Sequence, residues 1–353
     1  MKDDGEIIMD KFMFEDKESM ALKNVYDKLQ DDESRKIYLA RSLYSLTDNK
    51  DYMKEIIHDM APARYLLSEL SRHKDKKKVL FGAGTWGNAI LEHFPELHWD
   101  AIADNKKAGT KINGIKIISF EQLKNEYFDA CVVISVLFQC DEVYEQLITN
   151  GFNENNIIRL GTVMEKMQYF DLPELKPVED EVFLDVGGYD GATTERFIEW
   201  NNRNFRKVYF FEPNENYMNI SKEKFHDEVR IMYMPYITWN KETKLGFISA
   251  GVNSCIVEDN SNNGIKTIRI DKCLTGGEIP SLIKMDIEGS ESQALEGAKE
   301  VITKWKPRLA ISVYHRRMDI WKIAMQILEY NSEYKFYLRT YSFTGKDTVL
   351  YAV

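Results

Sequence analysis

Hydrophobic and polar positions divide this chain into a helical stretch followed by two units in which strands and helices alternate. From residue 15 to residue 72, apolar positions recur at steps of three and four, as at Ile37, Ala40 and Tyr44, and this period predicts helices. The first α/β unit is predicted to contain strands at 79–81, 99–103, 129–136 and 157–160. Its predicted helices begin at Asn88 and near Glu142.

The second unit begins at Glu181 and has a longer series of buried strands. Parallel strands are predicted at 182–186, 208–212, 229–234, 281–286 and 308–313, and helices near 193–201, 214–225, 291–303 and 319–330. An insertion at 239–271 shows alternation at 245–249 and 266–270, which predicts short antiparallel strands. Two last strands, 335–341 and 348–353, are joined by the turn residues 344–347. An α/β sheet that ends in a hairpin is the plan of a Rossmann-like methyltransferase.

These patterns predict an α/β protein with two Rossmann-like domains, the C-terminal one a class I methyltransferase sheet with an antiparallel last strand. The predicted divisions are a helical N-terminal segment at 1–76, a small Rossmann-like domain at 77–163, a linker at 164–180 and a methyltransferase domain at 181–353. Pro173 and Pro177 mark the linker. The N-terminal helices show no chemistry, so we interpret them as a cap or an oligomer contact, which leaves a homo-oligomer open.

Composition narrows the partners. The chain has 353 residues, of which 44% are hydrophobic and 29% charged, and these values are typical of a soluble globular protein. The net charge of −10 argues against nucleic acid or an anionic membrane as the main partner. Apolar runs such as 130–137 are too short to be transmembrane, and the acidic residues 1–6 do not resemble a secretory signal, so we expect a cytoplasmic protein. Four cysteines lack the spacing of a zinc site or a disulfide framework.

The strongest motif lies where the strand 182–186 ends. Asp185 is followed at once by a glycine turn, and Glu212 ends the next parallel strand, an arrangement that can hold a nucleoside cofactor. The acid that precedes the glycines, and the absence of a phosphate-binding lysine, favour S-adenosylmethionine over a dinucleotide. Asp185 would meet the methionine ammonium, and Glu212 the ribose hydroxyls. The residues expected to bind the cofactor are Asp185, Gly187, Gly188, Tyr189, Asp190, Glu212 and Asp286.

Candidate catalytic residues follow the next two strands. Asp286 and Glu288 stand two positions apart at a strand end, and His315 lies just beyond the following strand. We expect His315 to be the general base, because the pKa of a histidine lies near neutral pH, with Asp286 orienting it or the acceptor. Glu288 and Glu291 have the simpler interpretation of favouring a helix start. Asp286, Glu288 and His315 would also suit a divalent ion, but no tight ligand spacing supports one, so no metal is expected.

The order of these motifs resembles the FkbM family of methyltransferases over roughly residues 180–353. The motifs are DVGGYDG at 185–191, FEP at 211–213, IKMDIEGSE at 283–291, VYH at 313–315, YLRTY at 337–341 and TVLY at 348–351. The resemblance implies O-methylation that depends on S-adenosylmethionine, often of sugars in glycans or of secondary metabolites. It also implies that Asp185, Gly187 and Glu212 bind the cofactor and that Asp286 lies between cofactor and acceptor. One departure is Gly188-Tyr189, where the commoner family loop has Ala-Asn.

A second glycine turn lies in the first α/β unit. Gly82, Gly84 and Gly87 have the spacing of a dinucleotide fingerprint, and Asp104 follows about twenty residues after Gly84. The turn also resembles the nucleotide-sugar-binding front domains of some glycan-modifying acyltransferases. The alternatives are a bound nucleotide or nucleotide sugar, a purely structural domain, and redox use of NAD.

Together these observations predict a methyltransferase that acts on a saccharide or another small molecule. Two other functions stay open: a nucleotide-sugar-binding or scaffolding protein with an inactive methyltransferase domain, and an NAD-linked enzyme that uses the N-terminal domain. Titration with S-adenosylmethionine and with NAD distinguishes them.

Overall fold

The computed structural model describes residues 17–137, 139–248, 255–257 and 264–353. The described chain forms two compact units. The first comprises the described residues up to Asp48 together with Leu172–Arg339 and Thr348–Val353, and the second comprises Asn49–Asp171 and Thr340–Asp347. These units group the chain differently from the four predicted segments, since the first N-terminal helices share a unit with the second sheet. The predicted boundaries at 76, 163 and 180 stay predictions.

The second unit is built on a six-stranded sheet. Its strands are β1 (Lys78–Phe81), β2 (Ala101–Ala103), β3 (Lys111–Ile112), β4 (Ile115–Ile118), β5 (Cys131–Ile134) and β6 (Ile157–Arg159), in the order β3-β4-β2-β1-β5-β6. All pairs are parallel except β3 with β4. Its helices are α3 (Asp51–Asp59), α4 (Ala61–Arg72), α5 (Thr85–His93), α6 (Phe120–Glu126), α7 (Cys140–Thr149) and α8 (Leu160–Met167). β1 and β5 lie inside the sheet with a parallel neighbour on each side, and their Val79, Leu80, Val132 and Val133 side chains are accordingly fully buried.

The first unit contains a seven-stranded sheet that carries the candidate site. Its strands are β7 (Glu181–Val186), β8 (Phe205–Phe211), β9 (Ile231–Met234), β14 (Leu282–Met285), β15 (Arg308–Ser312), β16 (Phe336–Thr340) and β17 (Thr348–Ala352). The order is β16-β17-β15-β14-β7-β8-β9. The five strands from β15 to β9 run parallel, and β17 is antiparallel to β15. The expected α/β class with mainly parallel sheets is confirmed, as is the antiparallel last strand.

Helices of the first unit include α1 (Lys17–Lys28), α2 (Asp32–Thr47), α9 (Ala192–Trp200), α10 (Glu215–Lys224), α11 (Ile270–Cys273), α12 (Glu291–Glu296), α13 (Lys299–Trp305) and α14 (Asp319–Tyr330). The single helix predicted at 291–303 is wrong, because the chain divides it into α12 and α13 at Gly297. A Cβ atom on Gly297 would lie 2.0 Å from the carbonyl oxygen of Trp239. The close approach of this neighbouring backbone therefore requires glycine where the helix pattern runs on.

The N-terminal helices are fastened to the edge strand β16. Ser34 Oγ accepts a hydrogen bond from Leu338 N at 2.9 Å, and the Arg339 guanidinium pairs with Asp31 at 2.7 Å. Asp31 also caps α2 by accepting from Ser34 N at 2.7 Å. α1 and α2 thus cover one edge of the sheet.

The insertion forms a small four-stranded sheet. Its strands β10 (Ile237–Thr238), β11 (Lys244–Ile248), β12 (Cys255–Val257) and β13 (Ile265–Ile268) pair in the order β10-β13-β11-β12. β11 pairs antiparallel with β13, as the alternating pattern predicted, and also with β12, which was not predicted, whereas β10 and β13 are parallel. From its place between strands, the insertion with Asn253 and Ser254 is expected to help shape the acceptor pocket, but these two residues lie outside the described part of the chain. Within the part of the chain that the structure describes, no helix is long and apolar enough to cross a membrane.

Candidate active site

The turn after β7 is bent by backbone in the left-handed region. Gly187 and Gly191 have φ of 85° and 84°, and Tyr189 has φ of 51°. A Cβ atom on Gly187 would lie 2.0 Å from the carbonyl oxygen of Asp286, and one on Gly188 would lie 2.2 Å from the Phe210 ring. Gly187 and Gly188 were expected to bind the cofactor, and that role stays a prediction. The structure shows that glycine is needed at both positions in any case, because their own protein neighbours leave no room for a side chain.

Asp185 is fully buried beside a lysine. Its Oδ1 lies 3.1 Å from Lys284 Nζ, and its Oδ2 accepts a hydrogen bond from Thr194 Oγ1 at 2.8 Å. Lys284 is also buried, and it donates to the carbonyl oxygen of Gly187 at 2.5 Å. The pair arises because Lys284 and Asp185 stand opposite each other on the adjacent strands β14 and β7. An ammonium group of the protein thus occupies the position beside Asp185 that the sequence analysis gave to the ammonium of the cofactor.

Lys284 was missed as a site residue by the sequence analysis. The signal was present, since a lysine interrupts the apolar strand Leu282–Met285. A buried lysine requires a charged or polar partner, and its register with Asp185 supplies one.

Glu212 ties the end of β8 to the glycine turn. Its Oε2 accepts from Tyr189 N at 2.9 Å and its Oε1 accepts from Asn214 N at 2.8 Å. Burial raises the pKa of this carboxyl above its usual value, although the two backbone donors oppose that rise. A carboxylate oxygen accepts two hydrogen bonds, so the arrangement retains the capacity to accept ribose hydroxyls.

Tyr189 and Asp190 take local roles in this turn. The Tyr189 ring lies 4.1 Å from the Tyr217 ring between centroids, and Ser221 Oγ donates to the Tyr189 carbonyl at 3.2 Å. Burial, together with the contact with Tyr217, raises the pKa of Tyr189. Asp190 Oδ1 accepts from Ala192 N at 3.0 Å and so organises the start of α9. Cofactor contacts by Tyr189 and Asp190 stay predictions.

Three carboxylates that follow β14 lie around His315, which follows the neighbouring strand β15. His315 Nε2 lies 3.3 Å from Asp286 Oδ1 and 3.5 Å from Glu288 Oε2, while His315 Nδ1 lies 3.0 Å from Glu291 Oε1. The imidazole is 8% exposed and the Glu291 side chain 1%, whereas Asp286 is 24% exposed. The proximity of Asp286 and His315 follows from the parallel register of β14 and β15, which places the loops after both strands at one edge.

The protonation of His315 differs from what the sequence predicted. Burial by itself disfavours the imidazolium, but the carboxylates of Glu291, Asp286 and Glu288 outweigh it and raise the pKa of His315 to about 9. At neutral pH the His315 side chain is therefore the positively charged imidazolium, with a proton on each ring nitrogen. The expectation of a base with a pKa near operating pH is corrected, because the sequence does not show how many carboxylates face the ring.

Two further residues of this cluster were not assigned roles by sequence reasoning. Glu291 was interpreted as a helix-start residue, but its Oε1 both contacts His315 and accepts from Ile287 N at 2.9 Å. Tyr314 OH lies 3.4 Å from Asp286 Oδ1, and its ring lies 4.1 Å from that of His315. Asp286, Glu291 and His315 each offer one ligand atom within 4.8 Å of the others. This is the tight ligand arrangement that sequence spacing did not indicate.

The glycine turn of the second unit is held by its own aspartate. Asp104 Oδ2 accepts from Ala83 N at 3.0 Å, and Asp104 Oδ1 accepts from Lys106 N at 2.9 Å. Gly82 has φ of 114°, and a Cβ atom on Gly87 would lie 2.0 Å from the Gly82 carbonyl oxygen. A Cβ atom on Gly84 would meet no heavy atom within 4 Å. Asp104 therefore stabilises the turn, and a nucleotide at this position stays a prediction.

Comparisons with known proteins bear on both units. Residues 185–341 match the family model of the methyltransferase FkbM domain, and residues 74–158 match the model described as C2185-like, N-terminal. No curated protein sequence matches the chain.

Several solved structures are similar in shape. The methyltransferase FkbM from Methylobacillus flagellatus KT has 19% identity and a TM-score of 0.47, with 90% of this chain and 98% of that chain covered. The SAM-dependent methyltransferase from Aquifex aeolicus has 16% identity and a TM-score of 0.33, covering 53% of this chain and 90% of that one. Aeropyrum pernix fibrillarin, in complex with natively bound S-adenosyl-L-methionine, has 12% identity and a TM-score of 0.33, with 54% of this chain and 74% of that chain covered.

The assignment rests on the family match alone. It confirms the resemblance that the motifs suggested over most of the C-terminal region. The chain therefore carries an FkbM methyltransferase domain over residues 185–341.

Proposed function

We propose that the first unit is an S-adenosylmethionine-dependent O-methyltransferase whose acceptor is a hydroxyl of a saccharide or another small molecule. One observation carries the proposal: the residues expected to bind the cofactor and those expected to act on the acceptor all lie at the carboxyl ends of the parallel strands of one sheet. The turn at 187–191 and Glu212 follow β7 and β8, while Asp286 and His315 follow β14 and β15. In open parallel sheets, ligands bind outside the carboxyl ends of the strands, so a cofactor and an acceptor can meet there.

The residues present fit the cofactor. Glu212 is held by two backbone N–H groups, so its carboxylate has a fixed position from which to accept ribose hydroxyls. The turn bends sharply and brings backbone to the same edge, and Lys284 fixes the Gly187 carbonyl. Asp185 would act indirectly through this ion pair, because it is fully buried.

S-adenosylmethionine, when bound, supplies a methyl group on a positively charged sulfur that leaves as a neutral thioether. In the transfer the acceptor O–H bond breaks, an O–CH3 bond forms and the S–CH3 bond breaks, so the protein must align the acceptor and provide for one proton. We assign the acceptance of that proton to the Asp286 carboxylate, because His315 is already protonated at neutral pH, and we assign to His315 the positioning of Asp286, whose Oδ1 lies 3.3 Å from His315 Nε2.

The saccharide class rests on the resemblance to FkbM methyltransferases, which often act on sugars. The acidic cluster supports it in one respect, because carboxylates accept hydrogen bonds from sugar hydroxyls.

The first test is calorimetric titration of the full chain with S-adenosylmethionine and S-adenosylhomocysteine. We expect micromolar binding that Glu212→Gln weakens at least tenfold, because the amide replaces an acceptor oxygen by a donor. Glu215→Gln is the matched control, since Glu215 is an exposed acid three residues further on. No binding by the wild-type chain, or equal losses in both variants, would refute the cofactor site.

The second test is kinetic. With an acceptor found by screening sugars and nucleotide sugars for methyl transfer, Asp286→Asn and His315→Gln should each lower kcat on the order of 10²–10⁴-fold. The Kd of S-adenosylmethionine should change little in His315→Gln. Full kcat in either variant would show that the pair takes no part in the reaction.

A further inference from the structure

We propose that Asp286, Glu291 and His315 form a binding site for a divalent transition-metal cation of the Mn²⁺ or Zn²⁺ type. The three residues come from different segments: the end of β14, the first turn of α12 and the loop after β15. One ligand atom from each lies within 4.8 Å of the other two. Two ligands that bind one such ion at about 2.0–2.2 Å lie at most about 4.4 Å apart, so small side-chain shifts would close the site.

The hydrogen bonding of the buried atoms supports an ion. Among the described residues, neither ring nitrogen of His315 nor Oε2 of Glu291 has a hydrogen-bond partner. Their side chains are only 8% and 1% exposed. Buried polar atoms without partners are rare, and a bound ion is one of the few explanations for them.

An ion at this site would take one of the two ring nitrogens of His315. Nδ1 lies 3.0 Å from Glu291 Oε1 and Nε2 lies 3.3 Å from Asp286 Oδ1, so the ring or a carboxylate must shift for all three residues to bind one ion.

The donor set selects the kind of metal. Two carboxylate oxygens with one imidazole nitrogen suit Mn²⁺, Fe²⁺ or Zn²⁺, whereas Mg²⁺ and Ca²⁺ prefer oxygen ligands alone. Three protein ligands leave coordination positions for water or for an acceptor hydroxyl. If the proposed methyl transfer is correct, a cation here would make that hydroxyl more acidic. The binding claim itself does not depend on the proposed reaction.

The site is held in place before any ion binds. Glu291 Oε1 is fixed by the N–H of Ile287 at 2.9 Å, and Asp286 Oδ1 lies 3.4 Å from the hydroxyl of Tyr314. Gly289, in the connecting loop, has φ of 91°, and a Cβ atom there would lie 3.1 Å from Arg316 Nε. The loop geometry therefore positions Glu291 toward His315 without help from a ligand.

The experiment is titration of the metal-free full chain with Mn²⁺ alone, without cofactor or acceptor. Binding is followed by the loss of the free-Mn²⁺ signal in electron paramagnetic resonance and by calorimetry. We expect one equivalent to bind, and His315→Gln and Glu291→Gln each to weaken binding at least tenfold. His226→Gln is the matched control, because His226 lies 3.0 Å from Asp227 in an exposed pair. It should bind Mn²⁺ as the wild type does.

Three results would overturn the proposal: no saturable binding by the wild type, binding unchanged in His315→Gln and Glu291→Gln, or an equal loss in His226→Gln. If the variants at buried positions fold poorly, the test is the Tm of the wild-type chain with and without Mn²⁺, since a cation that binds only the folded site must raise the Tm. An unchanged Tm would then overturn the proposal. A separate titration with S-adenosylmethionine distinguishes the two proposals. Cofactor binding without Mn²⁺ binding refutes this inference alone, and the reverse result refutes the proposed function alone.

Discussion

Lys284→Met tests the buried ion pair that underlies the glycine turn. Lys284 Nζ lies 3.1 Å from Asp185 Oδ1, and both side chains are almost fully buried, at 3% and 0% exposure. With an effective dielectric constant of about 20, Coulomb's law gives an attraction of about 5 kcal/mol at this distance. Removing one partner of a buried pair typically costs about 3–5 kcal/mol, because the other charge stays buried without compensation.

We therefore expect Lys284→Met to lower the free energy of unfolding by about 3–5 kcal/mol, measured by urea denaturation with circular dichroism and tryptophan fluorescence. The double variant Asp185→Asn with Lys284→Met leaves no uncompensated charge and should cost less than the sum of the single changes. Lys207→Met is the control. Lys207 pairs with Glu278 at 3.2 Å on the neighbouring strand β8, but it is 22% exposed, so its loss should cost about 1 kcal/mol or less.

The reasoning is refuted if Lys284→Met costs less than about 1 kcal/mol, or if the two single changes add without coupling. Either result would show that the charges are compensated by something other than each other. A second readout is cofactor affinity. Lys284 also holds the Gly187 carbonyl, so a variant that stays folded should bind S-adenosylhomocysteine more weakly than Lys207→Met does.

Two further predictions concern stability. Gly188→Ala should lower the free energy of unfolding by about 1–3 kcal/mol, because the new methyl group would lie 2.2 Å from the Phe210 ring. Gly84→Ala is the control and should change Tm little, because its methyl group would have no atom within 4 Å. Equal Tm values for the two variants would contradict the packing argument. Burial alone would raise the pKa of Asp31, but hydrogen bonds from Arg339 and Ser34 outweigh it and lower the pKa below 3.8. The stabilisation by the ionised Asp31 is present above pH 3.8 and is lost as the pH falls toward the folded-state pKa. Asp31→Asn should therefore be less stable than the wild type at pH 7 and should lose less stability on acidification. Parallel plots of stability against pH for the wild type and the variant would refute this.

Most strands of the two sheets could be predicted from the sequence, because these strands are short apolar runs bounded by polar or turn residues. The order of acids at the ends of β7, β8 and β14 then placed the candidate site at one edge, since parallel strands share their carboxyl ends. The hairpin of β3 and β4 and the helix α6 were missed. The two strands within residues 111–118 are short and carry exposed lysines, so they do not read as an apolar run. The capping box of Ser119 and Gln122, which starts α6, was not recognised.

The site residues that sequence reasoning missed are those whose role depends on a neighbour distant in the chain. Lys284 and Asp185 are almost a hundred positions apart and meet only through the register of two strands. The number of carboxylates that face His315, and hence its raised pKa, likewise depends on how the loop after β14 folds back. Local periodicity carries no information on the Lys284–Asp185 pair or on the carboxylates around His315. The sequence therefore predicted which strand ends carry the candidate site, but not which charged groups lie next to each other there.

The contact between the two loops links the cofactor residues to the carboxylate cluster. A Cβ atom on Gly187 would overlap the Asp286 carbonyl oxygen, so these backbones lie in direct contact. Lys284, on β14, also donates a hydrogen bond to the Gly187 carbonyl that follows β7. A displacement of either loop must therefore move the other. If a ligand at Asp286 and His315 changes the affinity for S-adenosylmethionine, S-adenosylmethionine must change the affinity for that ligand by the same factor. Titrating Mn²⁺ with and without S-adenosylhomocysteine measures that factor directly, and a factor of one would mean that the contact transmits no energy between the two sites.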